Sequence, residues 1–195
     1  MKNLPPVTKF IILINIFIFF LQMTLPFVAE TFPLYPYGSE KFLYTQYLTA
    51  CFSHGGLIHL FLNMYIFYGF GQTLEQRFGS NRFLLFYLTV GVLSNISWHL
   101  LQDITIPGLG ASGALYGVLS LFVILYPDRK LSIIFIPYGF KAKYLFGTII
   151  LIELILSIMG IQDGIGHIVH LSGAMIGTIY YILFLKRRRS GKFGC

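Results

Sequence analysis

Six apolar stretches, several close to the ~20 residues that a helix needs to cross a bilayer core, recur along this 195-residue chain. They run over about 10–27, 56–71, 83–101, 113–126, 144–159 and 165–185. Backbone inside lipid must satisfy its own hydrogen bonds, so stretches of this kind fold as helices packed side by side. Composition points the same way: 56% of the residues are hydrophobic, only 11% are charged, and there are 20 Phe and 13 Tyr. A water-soluble fold of this size has too little interior to hide so much apolar surface. The expected fold is all-α, a polytopic membrane bundle of six transmembrane helices forming a single domain over residues 1–195. No internal repeat, low-complexity tract or separate soluble unit interrupts it.

Charge sets the orientation, because Lys and Arg accumulate in short cytoplasmic loops. With the amino terminus inside, the inner segments hold Lys2, Lys9, Arg77, Arg82, Arg129, Lys130, Lys141, Lys143, Lys186, Arg187, Arg188, Arg189 and Lys192. Of the 14 basic residues only Lys41 lies outside, in the company of Glu30, Glu40, Asp103 and Asp163. Miscounting one span would destroy that asymmetry, so both termini are expected in the cytoplasm, with a short leading segment 1–9 and a basic tail 186–195. The net charge of +7 also raises nucleic acid as a partner. A KRRR run directly after a last span reads instead as an anchor at the lipid surface, so the bilayer is the expected partner and nucleic acid is not.

Lys2 and Lys9 before an apolar run suggest a signal peptide, but no A-x-A site follows and further spans do, so the first span is read as uncleaved. Cys51 and Cys195 are too few for a disulfide framework or a thiolate metal cage, and Cys195 is not a prenylation box. The longest stretch between spans, about 28–55, carries Pro33, Tyr35, Pro36 and Tyr37 and reads as a structured interfacial loop.

Given this topology, spans two, four and six all run inward, and their outer ends carry the polar residues. His54 and His59 precede or open span two with Asn63 one turn on, Ser112 opens span four, and His167 and His170 open span six. Span four is short, about 14 residues or roughly 21 Å against a core of ~30 Å, so Ser112 should lie below the membrane surface. Irregular backbone at that depth is tolerable only around a water-filled cavity, which is what hydrolysis within a membrane requires.

Ser112 sits in Gly108-Leu109-Gly110-Ala111-Ser112-Gly113, a loop-to-helix junction whose glycines can leave it exposed with backbone N–H groups free for an oxyanion. Such a sequence also occurs where small residues merely permit helix packing. In span six His170, Gly173 and Gly177 share one face, so a neighbouring helix can approach closely while His170 faces it. His167 and His170 are spaced as a metal or haem pair, but no acidic or Cys ligand accompanies them, and the His54–His59 spacing is not that of HExxH. No metal or other cofactor is expected.

Together these motifs resemble the rhomboid family of intramembrane serine proteases. His54-Gly55-Gly56-Leu57-Ile58-His59-Leu60-Phe61-Leu62-Asn63-Met64 is similar to that family's HGGxxHLxxNM, and the GASG around Ser112 and HxxGxxxG from His170 follow in the family's order. Glu75 to Phe83 resembles its ExxxGxxxF turn, and Tyr116 stands at its tyrosine position four residues after the serine. One departure is Gln46-Tyr47, where many members carry Trp-Arg in a loop that supports the fold; the sole tryptophan here is Trp98.

The resemblance implies a serine endopeptidase that cuts other transmembrane-helix proteins near the outer ends of their spans. Ser112 is the expected nucleophile and His170 the base. His59, Asn63 and the Ser112 backbone N–H are the candidate oxyanion donors. His54, nearer the surface, is expected to order water or the loop, and Tyr116 to pack on the His170 ring, with Gly110, Gly113, Gly173 and Gly177 in support. Glu153, the one carboxylate within a span, is expected near the middle of span five, too deep to orient His170 and bonded to polar groups inside the bundle, so the site should act as a dyad. A catalytically inactive rhomboid-like protein that binds membrane clients is the alternative. A transporter with a histidine-lined path would need inverted repeats that the sequence lacks, and a structural subunit would leave the Ser/His/Asn cluster unexplained. The expected location is the cell membrane, a bacterial cytoplasmic one, because no transit peptide or additional span is present.

Overall fold

The computed structural model describes residues 4–101, 106–132, 138–161 and 165–186. Lys2, Asp103, Asp163 and the tail beyond Lys186, all used in the charge argument, lie outside these residues. Each of the six apolar stretches coincides with a helix. The first is α1 (Pro6–Thr24), started by proline at its first position, where no N–H is needed. The interfacial stretch contains α2 (Pro26–Thr31), α3 (Gln46–Thr49) and a 3-10 turn over Ala50–Phe52. Then come α4 (Leu57–Phe78) and α5 (Ser80–Leu101), joined by Gly79 at φ 82°, a left-handed corner that glycine adopts without steric cost. Next is α6 (Ser112–Leu125), which ends just before Pro127. A small antiparallel hairpin of β1 (Lys130–Ser132) and β2 (Gly139–Lys141) leads to α7 (Ala142–Ile158), and the last helix is α8 (His167–Tyr180), closing in a π-helical turn over Tyr181–Leu185.

Among the described residues, α1, α5 and α8 with its closing turn are each long and apolar enough to cross a membrane. A fourth such unit is α4 taken with the short helix before it, bent by 89° between them. α6 is apolar but, at 14 residues, short of a bilayer core. It is the central helix: Gly113, Ala114, Leu115, Gly117, Val118, Ser120, Leu121 and Phe122 are buried. By contrast Phe10, Phe17, Phe20, Leu151, Ile155 and Ile182 point outward, as lipid-facing side chains do.

Backbone contact between α6 and α8 fixes this core. A Cβ on Gly173 would fall 2.0 Å from the carbonyl oxygen of Gly113, and one on Gly177 would fall 2.6 Å from the Cα of Gly117. Only hydrogen fits at either place. At the other end of the molecule Glu75 secures α1. Its carboxylate accepts from the backbone N–H groups of Val7 (2.9 Å) and Thr8 (2.6 Å), from the Thr8 hydroxyl (2.7 Å) and from Ser80 (2.7 Å). An anion thus sits on the first turn of a helix, where unpaired N–H groups and the helix dipole favour it.

The interfacial loop is organised by Gln46, a residue of the sequence's departure from the family pattern. It is fully buried, and its amide spends all its main capacity on the loop backbone. Nε2 donates to the carbonyls of Thr31 (3.1 Å) and Lys41 (2.8 Å), while Oε1 accepts from Tyr35 and Leu43 (both 3.2 Å). Tyr47 beside it bonds the His99 ring (2.8 Å) and joins Phe42 in an aromatic cluster.

Two outcomes follow. Gly173→Ala should destabilise the protein by about 3 kcal/mol or more, since the clash is with backbone that cannot rotate away, whereas Gly69→Ala, which meets open space, should leave thermal unfolding in detergent unchanged. In a Cys195→Ser background, Gln46→Ala should speed alkylation of buried Cys51 by about tenfold or more, because unpairing these loop groups costs on the order of 1–3 kcal/mol.

Candidate functional site

Ser112 is the first residue of α6, and the segment leading to it is held from two sides. Leu34 and Gly108 exchange backbone hydrogen bonds (2.7 and 2.9 Å), and Gly110 N–H donates to Ala50 (2.9 Å). The indole of Trp98 lies so close to Gly108 that a Cβ there would come within 1.5 Å of the ring. Gly110, at φ 129°, brings the chain against His59: a Cβ would sit 2.9 Å from the imidazole and 3.7 Å from Ser112 Oγ. Gly108 and Gly110 therefore have no room for side chains, and Ser112 opens α6, whose first-turn N–H groups no helical carbonyl can reach.

His170 lies one turn into α8, and the glycine contacts of that helix bring its ring to Ser112. Nε2 is 2.8 Å from Ser112 Oγ. The Tyr116 ring, one turn beyond Ser112 on α6, lies parallel to the imidazole, with centroids 4.2 Å apart and 6° between the planes. Nδ1, the other ring nitrogen, is 2.9 Å from Oε1 of Glu153. The same carboxylate accepts from the Tyr116 hydroxyl through Oε1 and meets Nδ1 of His167 at 2.6 Å through Oε2.

The structure corrects the expectation that Glu153 is too deep to orient His170. It does bond to polar groups inside the bundle, and His170 is one of them. Glu153 is five residues from the end of α7, about 7.5 Å along the axis, and His170 is three residues into α8, about 4.5 Å. These offsets let the two side chains meet, Oε1 to Nδ1, across the α7–α8 contact. A lone carboxylate in an apolar span has to find donors, and that requirement was the signal available in the sequence.

His59 and Asn63 occupy one face at the start of α4. Asn63 is 6% exposed, and its Nδ2 has no hydrogen-bond partner among the described residues. The His59 ring is half-buried; its Nδ1 accepts weakly from Gly55 N–H (3.4 Å). His54 is buried at 3% exposure, its ring edge-on to His59 with centroids 5.1 Å apart. α1 covers this corner, and its Gln22 Oε1 accepts the His54 backbone N–H at 3.0 Å. Both ring nitrogens of His54 lack partners among the described residues.

The structure thus brings Ser112, His170, Tyr116, His59 and Gly110 together and adds Glu153 and His167, while Gly113, Gly173 and Gly177 act one layer behind by closing α6 on α8. Gln46 and Trp98 shape the approach to the serine without reaching it. Among the described residues no group of three or more His, Cys, Asp or Glu side chains is arranged to hold a metal ion.

Residues 41–187 match the model of the Rhomboid domain. The mouse presenilin-associated rhomboid-like protein of mitochondria is 34% identical over 150 residues, covering 75% of this chain and 39% of that protein. Rhomboid protease GluP of Bacillus subtilis is 29% identical over 202 residues, covering 97% of this chain and 37% of GluP. The chloroplastic rhomboid-like protein 11 of Arabidopsis thaliana is 31% identical over 151 residues, covering 72% and 52% respectively. The chain spans only about a third to a half of the length of these relatives. It is an integral membrane protein and belongs to the rhomboid family.

Proposed function

We propose that this protein is an intramembrane serine endopeptidase that hydrolyses peptide bonds in or near transmembrane helices of other membrane proteins. The observation that carries the reading is the 2.8 Å approach of His170 Nε2 to Ser112 Oγ at the amino end of a helix. His170 takes the proton as Oγ attacks the substrate carbonyl, then gives it to the leaving amine. Water, activated by the same nitrogen, resolves the acyl-enzyme and returns the proton to Ser112. The charge that develops on the carbonyl oxygen meets Asn63 Nδ2, the His59 ring and the Ser112 N–H. Asn63 supports that role because it carries a buried donor with nothing to bond, arranged before the charge appears. A peptide bond in an intact helix has its carbonyl engaged, so substrates should be cut where small or helix-breaking residues let the backbone unwind.

The topology that goes with this reading has six spans with both ends in the cytoplasm, supported by the placement of every basic residue but Lys41 on one side. The bilayer we propose is a bacterial cytoplasmic membrane, supported by alignment of the Bacillus relative with 97% of the chain.

Cleavage of a model single-span substrate by the purified protein in detergent tests the reading. Wild type should cut, and Ser112→Ala and His170→Ala should not while remaining folded. An intact panel of substrates with wild type would make client binding the better reading, and cutting by Ser112→Ala would overturn Ser112 as the nucleophile. Asn63→Ala should lower kcat by about 100- to 1,000-fold with little change in KM, as removal of an oxyanion donor does.

A further inference from the structure

Glu153 is the one deeply buried residue of α7 beyond its first position: only it and Ala142 are buried, and the rest of the helix is wholly or partly exposed. Burying an unpaired carboxylate is costly, so its partners decide what it is for. Any donors on α6 and α8 would have served to fasten α7. The donors in place are the base, the ring stacked on the base, and the histidine one turn before it. Moreover, the carboxylate takes Nδ1 of His170, the nitrogen opposite the one that faces Ser112.

We propose that Glu153 is a positioning residue of the reaction, completing a Ser112–His170–Glu153 triad in which the carboxylate holds the proton of His170 on Nδ1. This inference rests on the reading of Ser112 and His170 as nucleophile and base. A neutral imidazole carries one N–H; with that hydrogen bonded to Glu153, Nε2 is left with its lone pair toward Ser112 Oγ, as proton abstraction requires. When the Ser112 proton arrives on Nε2, the ring becomes an imidazolium and the carboxylate stays ionised beside it, balancing the charge in a water-poor setting. The proton leaves to the departing amine, and the ring returns to its starting tautomer. His167 occupies the second carboxylate oxygen, so Glu153 cannot swing away, and Tyr116 both stacks on the base and donates to the carboxylate. Thus α6, α7 and α8 each contribute to the position of one imidazole.

The test uses the full chain in detergent, with Glu153→Gln as a neutral isostere and three readouts. The first is the rate at which a fluorophosphonate ester phosphonylates Ser112, a step that forms the Oγ–P bond, expels fluoride and passes the serine proton to His170. The second is the split of kcat and KM on a single-span substrate. The third is the low-field imidazole proton resonance of protein carrying 15N-labelled histidine. Glu153→Gln should lower the labelling rate and kcat by about 100-fold or more, by the logic of an Asp→Asn change in a serine-protease triad. KM should stay within about twofold, and the His170 low-field resonance should vanish. Glu153→Asp, which keeps the charge, should recover part of the rate. A folded Glu153→Gln that labels at the wild-type rate, or that keeps the low-field resonance, overturns the inference and leaves the protease reading standing. A wild type that is neither labelled at Ser112 nor able to cut overturns both. If Glu153→Gln does not fold, Glu153→Asp carries the test: at least a tenfold loss in labelling supports the triad, and the wild-type rate overturns it.

Discussion

At Gly173 and Gly177 the main chain of α8 lies directly on the main chain of α6, and the position of Ser112 relative to His170 follows from that contact. Ser112 is on one of these helices and His170 on the other, so the distance between them is set by two backbones in contact and not by adjustable side-chain packing. Helices in lipid gain little from burying apolar surface against each other, because lipid tails are equally apolar. Close van der Waals approach and polar contacts have to hold the bundle instead. This protein concentrates both at the same end: the glycines bring the helices together, and the Ser112, His170, Glu153, His167 and Tyr116 hydrogen bonds tie three of them laterally.

The same economy explains why polar residues here are so few and so thoroughly engaged. Glu75 and Glu153 are buried carboxylates, and each is surrounded by donors: a helix amino terminus and two hydroxyls for the first, two imidazoles and a phenol for the second. In a medium without water, leaving such a group unpaired costs several kcal/mol. Against that background the amide nitrogen of Asn63 and the two ring nitrogens of His54, both near the start of α4, are buried without a hydrogen-bond partner among the described residues.

The six helices were legible in the sequence because lipid allows little else: an apolar run of that length must be helical, and its ends are marked by Pro6, Gly79, Pro127 and the loops. The residues proposed for the site drew attention in the sequence because Ser112, His170, His59 and Asn63 are polar groups near the ends of apolar stretches. Two placements were not legible. Hydropathy along α7 says that Glu153 is within a span, but where it lies relative to α8 depends on how far each helix end is sunk, which is a tertiary property. That the His54 ring is covered was not legible either, because the cover supplied by α1 and Gln22 comes from a segment more than thirty positions away in the chain. Gln46 carried no local signal at all, since its four partners are spread over residues 31 to 43 of a loop without regular structure.

That the loop's hub is a neutral amide changes how the approach to the serine responds to its surroundings. A cation in this position would need a counter-ion, and the attraction would weaken as salt rises and the Debye length falls below ~10 Å. Gln46 has no charge to screen and no proton to gain or lose across the pH range in which proteins fold. The bonds by which Gln46 holds the wall that presents Leu34 to Gly108, beside the backbone running into Ser112, therefore contain no contribution from ionic screening or from protonation of the Gln46 side chain.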